Sequence, residues 1–248
     1  MRGNGDGASR GLFITFEGAD GAGKSTHLHF LAAQLEKRGR EVVCLREPGG
    51  TALGERVRSV VLDPALGDVA DEAELFLYEA ARAQLTAEVI EPALQRGAVV
   101  LSDRFFDSTV AYQGFGRGLD RAFIDAANAF AARGIVPDRT LLFVTGEGAA
   151  ADLARAAQVA RPDRLELAGV AFHERVEDGF ARIAAAEPDR VRTVVSAGAP
   201  SQTARRVLAA LSDVLPELSD GAAPSDADLA ALDRAVADGA GEGGASRG

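Results

Sequence analysis

The chain has a single cysteine, Cys44, so no internal disulfide can form. No apolar run approaches the roughly 18 residues of a membrane span. The opening MRGNGDGASR lacks the apolar core of a signal peptide. Net positive charge is missing too: the balance is -10. That argues against a protein whose bulk field recruits nucleic acid, while leaving room for a local basic site. Lysine is almost absent, with Lys24 and Lys37 the only two. No internal repeat is visible. These absences point to a soluble protein of a reducing, cytoplasmic compartment, with no nucleic-acid or membrane partner. Cys44 lies inside the apolar run Val42–Leu45 and reads as a small buried residue.

What is present suits one well-cored domain: 248 residues, 47% hydrophobic and 26% charged. Residues 1–10 read as a flexible tail, 11–217 as the folded domain, and 218–248 as a disordered C-terminal tail with at most a short helix near Asp226–Val236. Between the tails, short β-rich apolar runs recur at Leu12–Phe16, Glu41–Leu45, Ala98–Ser102, Thr140–Val144 and Arg192–Ser196. Such runs suit strands buried on both faces. Helical patterns separate them at Lys24–Arg38, Leu53–Leu62, Asp71–Gln95, Arg121–Ala132 and Val170–Ala186, and Gln202–Leu215 follows the last. The alternation predicts an α/β fold, a parallel sheet with helices on both faces. Ligands in such folds bind beyond the carboxyl ends of the strands.

The first strand runs straight into FEGADGAGKST (Phe16–Thr26). Its core fits G-x-x-x-x-G-K-[ST], between a strand and a helix as the phosphate-binding loop requires. Glycines bring backbone N–H groups close to an anion, and the helix start adds its positive dipole end. The stretch Gly18-Ala19-Asp20-Gly21-Ala22-Gly23-Lys24-Ser25-Thr26 is therefore the expected ATP-binding segment. Lys24 can reach the β- and γ-phosphates and Ser25 can ligate Mg²⁺. In a chain so poor in lysine, a lysine at this one position is informative.

Three further clusters follow strands or lie on helices. REPGG (Arg46–Gly50) makes a sharp turn at the end of the second strand, readable as a charged crevice edge or as a solvated turn. SDRFFDSTVAYQG (Ser102–Gly114) follows the third strand and places Asp103 near a metal and Arg104 beside a phosphate. Tyr78 and Arg82 are i,i+4 on a helix, an arrangement that can hold a flat heterocycle or belong to core and surface. His27 and His29 have poor spacing for a shared metal, and His173 reads as structural. Phe13, Phe16, Phe105 and Phe106 read as core.

Together FEGADGAGKST, REPGGT with GERVRSVVLD, AARAQ, DRFFDSTVAYQG and RPDRLE…FHERVEDGF resemble thymidylate kinase, in the nucleoside-monophosphate kinase group of phosphate-loop proteins. The likeness covers residues 11–217. It implies a five-stranded parallel core with a lid, transfer of phosphate from ATP to dTMP with Mg²⁺, and a homodimer formed through helices. It also implies roles by position. Lys24 and Ser25 serve donor phosphates and metal, and Asp20 and Asp103 stand near the metal. Glu47 lies beside the acceptor phosphate, Arg58 and Arg104 bind that phosphate, and Tyr78 stacks on thymine. Arg82 and Gln113 bond the base, with Thr109 near its polar edge. Asp20 either relays a proton or positions metal. Because Gly21 stands where other members carry arginine, the lid, residues 153–166, is expected to supply it, through Arg155 and Arg164 with Arg161 behind them. Two rivals stay open: another small phosphate-loop kinase, and a non-catalytic nucleotide sensor.

Overall fold

The computed structural model describes residues 10–159, 162–218 and 223–242. Five strands, β1 (Phe13–Gly18), β2 (Val42–Arg46), β3 (Val99–Asp103), β4 (Arg139–Val144) and β5 (Val191–Val195), form one parallel sheet in the order β2-β3-β1-β4-β5. Registers such as Phe13 opposite Val100 and Thr15 opposite Thr140 put β1 at the centre. Alternation then sorts the side chains. Ile14, Phe16, Val99, Leu101, Leu141, Phe143 and Val194 point to one core layer, while Phe13, Val100, Leu142 and Val191 point to the other. The first layer is covered by α1 (Lys24–Glu36) and by the segment that follows β5. Edge strand β2 is only partly covered, and Cys44 on it is exposed, correcting the expectation of a buried thiol.

The remaining helices are α2 (Ala52–Val61), α3 (Asp71–Leu85), α4 (Glu91–Gln95), α5 (Phe106–Thr109), α6 (Arg121–Ala131), α7 (Ala149–Val159), α8 (Val170–Ala186), α9 (Pro200–Ala210) and α10 (Asp226–Glu242). The helix expected over Asp71–Gln95 is split by a π-helical turn, Thr86–Ile90. Pro92 supplies the reason: it has no N–H to return to the preceding turn, so the ladder widens ahead of it.

Two elements depart from the sequence-based expectation. Residues 106–116 are helical throughout, as α5 and a π-helical turn Val110–Gly116, although β-branched, aromatic and glycine residues dominate there. The C-terminal stretch, expected to be a loose tail with at most a short helix near Asp226–Val236, carries the longer, 17-residue α10. Ser225 and Asp228 form a reciprocal capping pair at its start: Ser225 N donates to Asp228 Oδ2 (3.1 Å), and Asp228 N to Ser225 Oγ (3.2 Å). Leu229 and Leu232 bury themselves against Phe30 of α1 and Ala204 of α9. Two well-placed leucines and a cap help to dock a segment otherwise made mostly of alanine, aspartate and glycine.

Candidate functional site: two clefts around the phosphate loop

The loop between β1 and α1 is shaped by glycine where no side chain fits. Gly18 has φ of 122°, and a Cβ there would sit 2.2 Å from Phe143 O. Gly21 has φ of 74°, and the backbone of Ala156 in α7 lies 3.4 Å from where its Cβ would be. The lid helix rests on the loop at Gly21, so a side chain such as arginine at this position would compete with the lid for the same space. No side chain caps the start of α1 at Gly23, which leaves first-turn N–H groups to a ligand. Lys24 donates to Gly18 O (3.1 Å) and Ala19 O (2.7 Å) and lies 3.6 Å from Asp20. Burial, then Arg104, lowers its pKa. Ser25 Oγ donates to Asp103 Oδ2 at 2.5 Å.

On one side of the loop lies a cleft of about 550 Å³. It is lined by Asp20, Glu47, Arg58, Tyr78, Arg82, Arg104, Thr109 and Gln113, all singled out from the sequence, together with Phe105, Ser108, Tyr112 and Asp163. Arg104 holds a left-handed backbone (φ 73°) at the end of β3. Its guanidinium donates to Asp20 Oδ1 (2.7 Å) and Ser108 Oγ (3.1 Å) and lies over the Tyr112 ring. Burial works against the charge on Asp20, but Arg104 and Lys24 outweigh it and hold the carboxyl far below the usual carboxylate range. Asp20 thus pairs with Arg104, and Asp103 with Ser25.

Arg82 is buried and heavily committed. It donates to Glu47 Oε2 through Nε (3.0 Å) and Nη2 (2.8 Å), to Glu79 (2.7 Å) and to Asn128 (2.9 Å), above the Phe105 ring. An arginine has five N–H groups, so one on Nη2 is left for a ligand. Burial, partly offset by Arg82, pushes Glu47 up to about 7. Two buried oxygens in this wall, Glu47 Oε1 and Thr109 Oγ1, have no protein partner. Gln113 donates Nε2–H to Glu74 Oε1 at 2.8 Å. A carboxylate only accepts, so the amide is oriented and its Oε1 faces away as an acceptor. Arg58 is partly buried and donates to Pro48 O (3.0 Å). Tyr78 is kept neutral by burial and then by Glu74, which push its phenol up.

On the other side lies a cleft of about 880 Å³, lined by Gly21, Gly23, Thr26, His27, the β5–α9 loop at Ser196–Gly198, and Arg155. Arg155 donates to Asp152 (2.7 Å) and pairs with Glu147. The second lid candidate is elsewhere. Arg164 donates to Val61 O (2.9 Å) and to the buried Glu74 (2.5 Å), beside Arg117, so it braces the Gln113 side of the first cleft and does not line the second. Arg161 lies outside the described residues.

Several working groups escaped sequence reasoning. Glu17, wholly buried on β1, accepts from Phe105 N (2.8 Å), Ser108 N (3.3 Å) and Ser108 Oγ (2.6 Å), capping α5 from a distant strand. Burial, then Asp107, raises it to about 8. Glu74 anchors Gln113, Arg117 and Arg164 and sits one helical turn before Tyr78, the only sequence signal it offered. Phe105, read as core, is both buried core and cleft wall. His27, given little weight, has ring nitrogens 2.7 Å from Gly23 O and 3.1 Å from Pro200 O.

The sequence profile of the family described as "Thymidylate kinase" matches residues 16–207. A thymidylate kinase of Trichlorobacter lovleyi is 46% identical over 200 residues, covering 79% of this chain and 94% of the relative. One of Desulforudis audaxviator is 50% identical over 184 residues, covering 72% and 80%. The crystal structure of thymidylate kinase from Ehrlichia chaffeensis superimposes with a TM-score of 0.64 at 32% identity, over 82% of this chain and 99% of that one. On a profile match over most of the chain and relatives of this identity and coverage, the chain belongs to the thymidylate kinase family.

Proposed function

We propose that this chain transfers the γ-phosphoryl group of ATP to dTMP, giving dTDP and ADP. The observation that carries the reading is the hydrogen-bond polarity of the acceptor cleft. Gln113 presents an acceptor and Arg82 one remaining donor. Thymine offers N3–H as donor and O4 as acceptor. Cytosine inverts both, and would leave buried groups unpaired at about 1–3 kcal/mol each. Phe105 and Tyr78 supply flat walls for the ring, and Arg58 and Arg104 lie in the same cleft for the phosphate.

Phosphoryl transfer needs alignment and charge neutralisation more than covalent help. Lys24, the α1 start and Arg155 converge on the donor, and Arg104 and Arg58 on the acceptor, offsetting repulsion between two polyanions. With Arg104 paired to it, Asp20 is an orienting carboxylate for that arginine. Asp20 stays ionised at neutral pH, so it has no proton to give. Ser25 Oγ and Asp103 are hard oxygen donors 2.5 Å apart and fit Mg²⁺, which takes one or two protein ligands and completes its shell with water and phosphate. When bound, Mg²⁺ screens the donor phosphates.

The lid works through Arg155 alone among its described arginines. Exposed Phe76 and Phe123 meet edge to face at 6.1 Å across α3 and α6, and Phe130 is 88% exposed one heptad further along α6. That apolar helix surface suits a homodimer. No helix among the described residues is long and apolar enough to cross a membrane, and the setting we assign is the cytoplasm.

The test is an ADP-release assay with ATP, Mg²⁺ and a panel of monophosphates. dTMP should give the highest kcat/KM, and dCMP turning over equally well would overturn the base-site reading. Binding of both nucleotides without turnover would leave a sensor.

A further inference from the structure

α10 lies beyond residue 207, where the family match ends. Its apolar stripe, cap and ion pairs (Lys37–Asp228 at 2.5 Å, Arg205–Asp226 at 3.0 Å) fasten it across α1 and α9. Leu229, Leu232, Asp233 and Val236 fall at i, i+3, i+4 and i+7, on one helix face. The first two are buried in the seam. The last two reach further along it, toward the donor cleft.

Asp233 Oδ1 accepts from Ser201 N at 2.8 Å, in the first turn of α9. Next to it, Pro200 O faces His27, whose other ring nitrogen faces Gly23 O of the phosphate loop. Val236, 37% exposed, lines the donor cleft with Thr26, His27, Gly198 and Thr203. The phosphates of a donor must lie at the start of α1. The rest of the nucleotide has to leave the loop on the side away from the acceptor, and the cleft that leads that way is the one Val236 borders.

We infer that α10 is the outer wall of the donor cleft: Val236 packs against the base end of a purine nucleoside triphosphate, and Asp233 is a positioning residue for the α9 turn that faces it. The inference rests on the kinase reading above only for the identity of the donor.

The experiment compares Val236→Asp, Val236→Ala and a chain ending at residue 222 with the full chain. Affinity for a non-hydrolysable ATP analogue and for dTMP is measured by calorimetry, and unfolding by thermal melt. Val236→Asp should weaken the ATP analogue about 3- to 10-fold and Val236→Ala about 2-fold, less than the roughly 10- to 200-fold of a fully enclosed apolar contact because Val236 is partly exposed. Both should leave dTMP affinity and melting temperature unchanged, since the side chain is partly exposed and outside the core. The shortened chain should lose ATP affinity and also melt earlier, because Phe30 is uncovered. Val236→Asp with analogue affinity within about twofold of the full chain would overturn the inference. Failure of the full chain to phosphorylate dTMP would instead sink the proposed function and leave the α10 result standing.

Discussion

On the acceptor side, Arg82, Glu47, Glu79, Asn128, Gln113 and Glu74 are buried and already bonded to one another before any ligand arrives. On the donor side much of the wall is Gly21, Ala22, Gly23, Ala197, Gly198 and other short residues, with Arg155 and His27 among them, and Lys24 is folded onto carbonyls of its own loop. A pre-bonded side-chain wall offers a ligand few, fixed donors and acceptors, and so discriminates. A wall made largely of backbone and short residues contacts whatever carries phosphate, and Lys24, held only by carbonyls and a carboxylate of its own loop, can change partners at small cost. The contrast predicts selectivity for the acceptor and tolerance toward the donor.

The contrast predicts that substitutions on the two sides fail differently. Lys24→Ala should lower kcat on the order of 10³-fold, as for other transition-state charge contacts, with melting little changed because the Lys24 ammonium bonds and pairs only within its own loop. Activity within tenfold of wild type would remove Lys24 from the chemistry. Arg82→Ala should act first on the fold, leaving two buried carboxylates uncompensated, for a loss of about 3–5 kcal/mol. Urea unfolding measures this, and an unchanged midpoint with weaker dTMP binding would mean that the pre-bonded wall is not structural. The two lid candidates should separate next. Arg155→Ala is expected to reduce kcat roughly 10²-fold at saturating dTMP, whereas Arg164→Ala should cost about 2–3 kcal/mol of stability with much the smaller effect on kcat. A kcat loss in Arg164→Ala equal to that of Arg155→Ala would return Arg164 to the donor side. The mildest effect concerns the thymine methyl, which no hydrogen bond can read. dTMP should be preferred over dUMP by about 10- to 200-fold in kcat/KM, and equal use of the two would show that no apolar contact reaches C5.

Local pattern carried much of this. Strands β1 to β5 are readable as apolar runs because most of the sheet is covered on both faces and favours apolar residues there. The phosphate loop is readable because its backbone conformation admits glycine alone at Gly18 and its chemistry needs Lys24. Residues 106–116 are unreadable as helix because the cap that starts them, Glu17, is 88 positions away. Arg155 and Arg164 look alike in the sequence, both arginines in a polar stretch. They differ because Glu74, on another helix, stands beside one of them.

α10 marks the same boundary. Its composition is that of a tail, and its two leucines gain nothing until Phe30 and Ala204 are brought beside them. The sequence by itself determined the sheet, the phosphate loop and the residue types each cleft would need, since these follow from local periodicity and backbone sterics. Which arginine faces a phosphate, how Gln113 is turned and whether the last helix docks were decided by tertiary structure. Each depends on partners far away in the chain, whose burial makes an unpaired charge or an unfilled hydrogen bond too costly to leave.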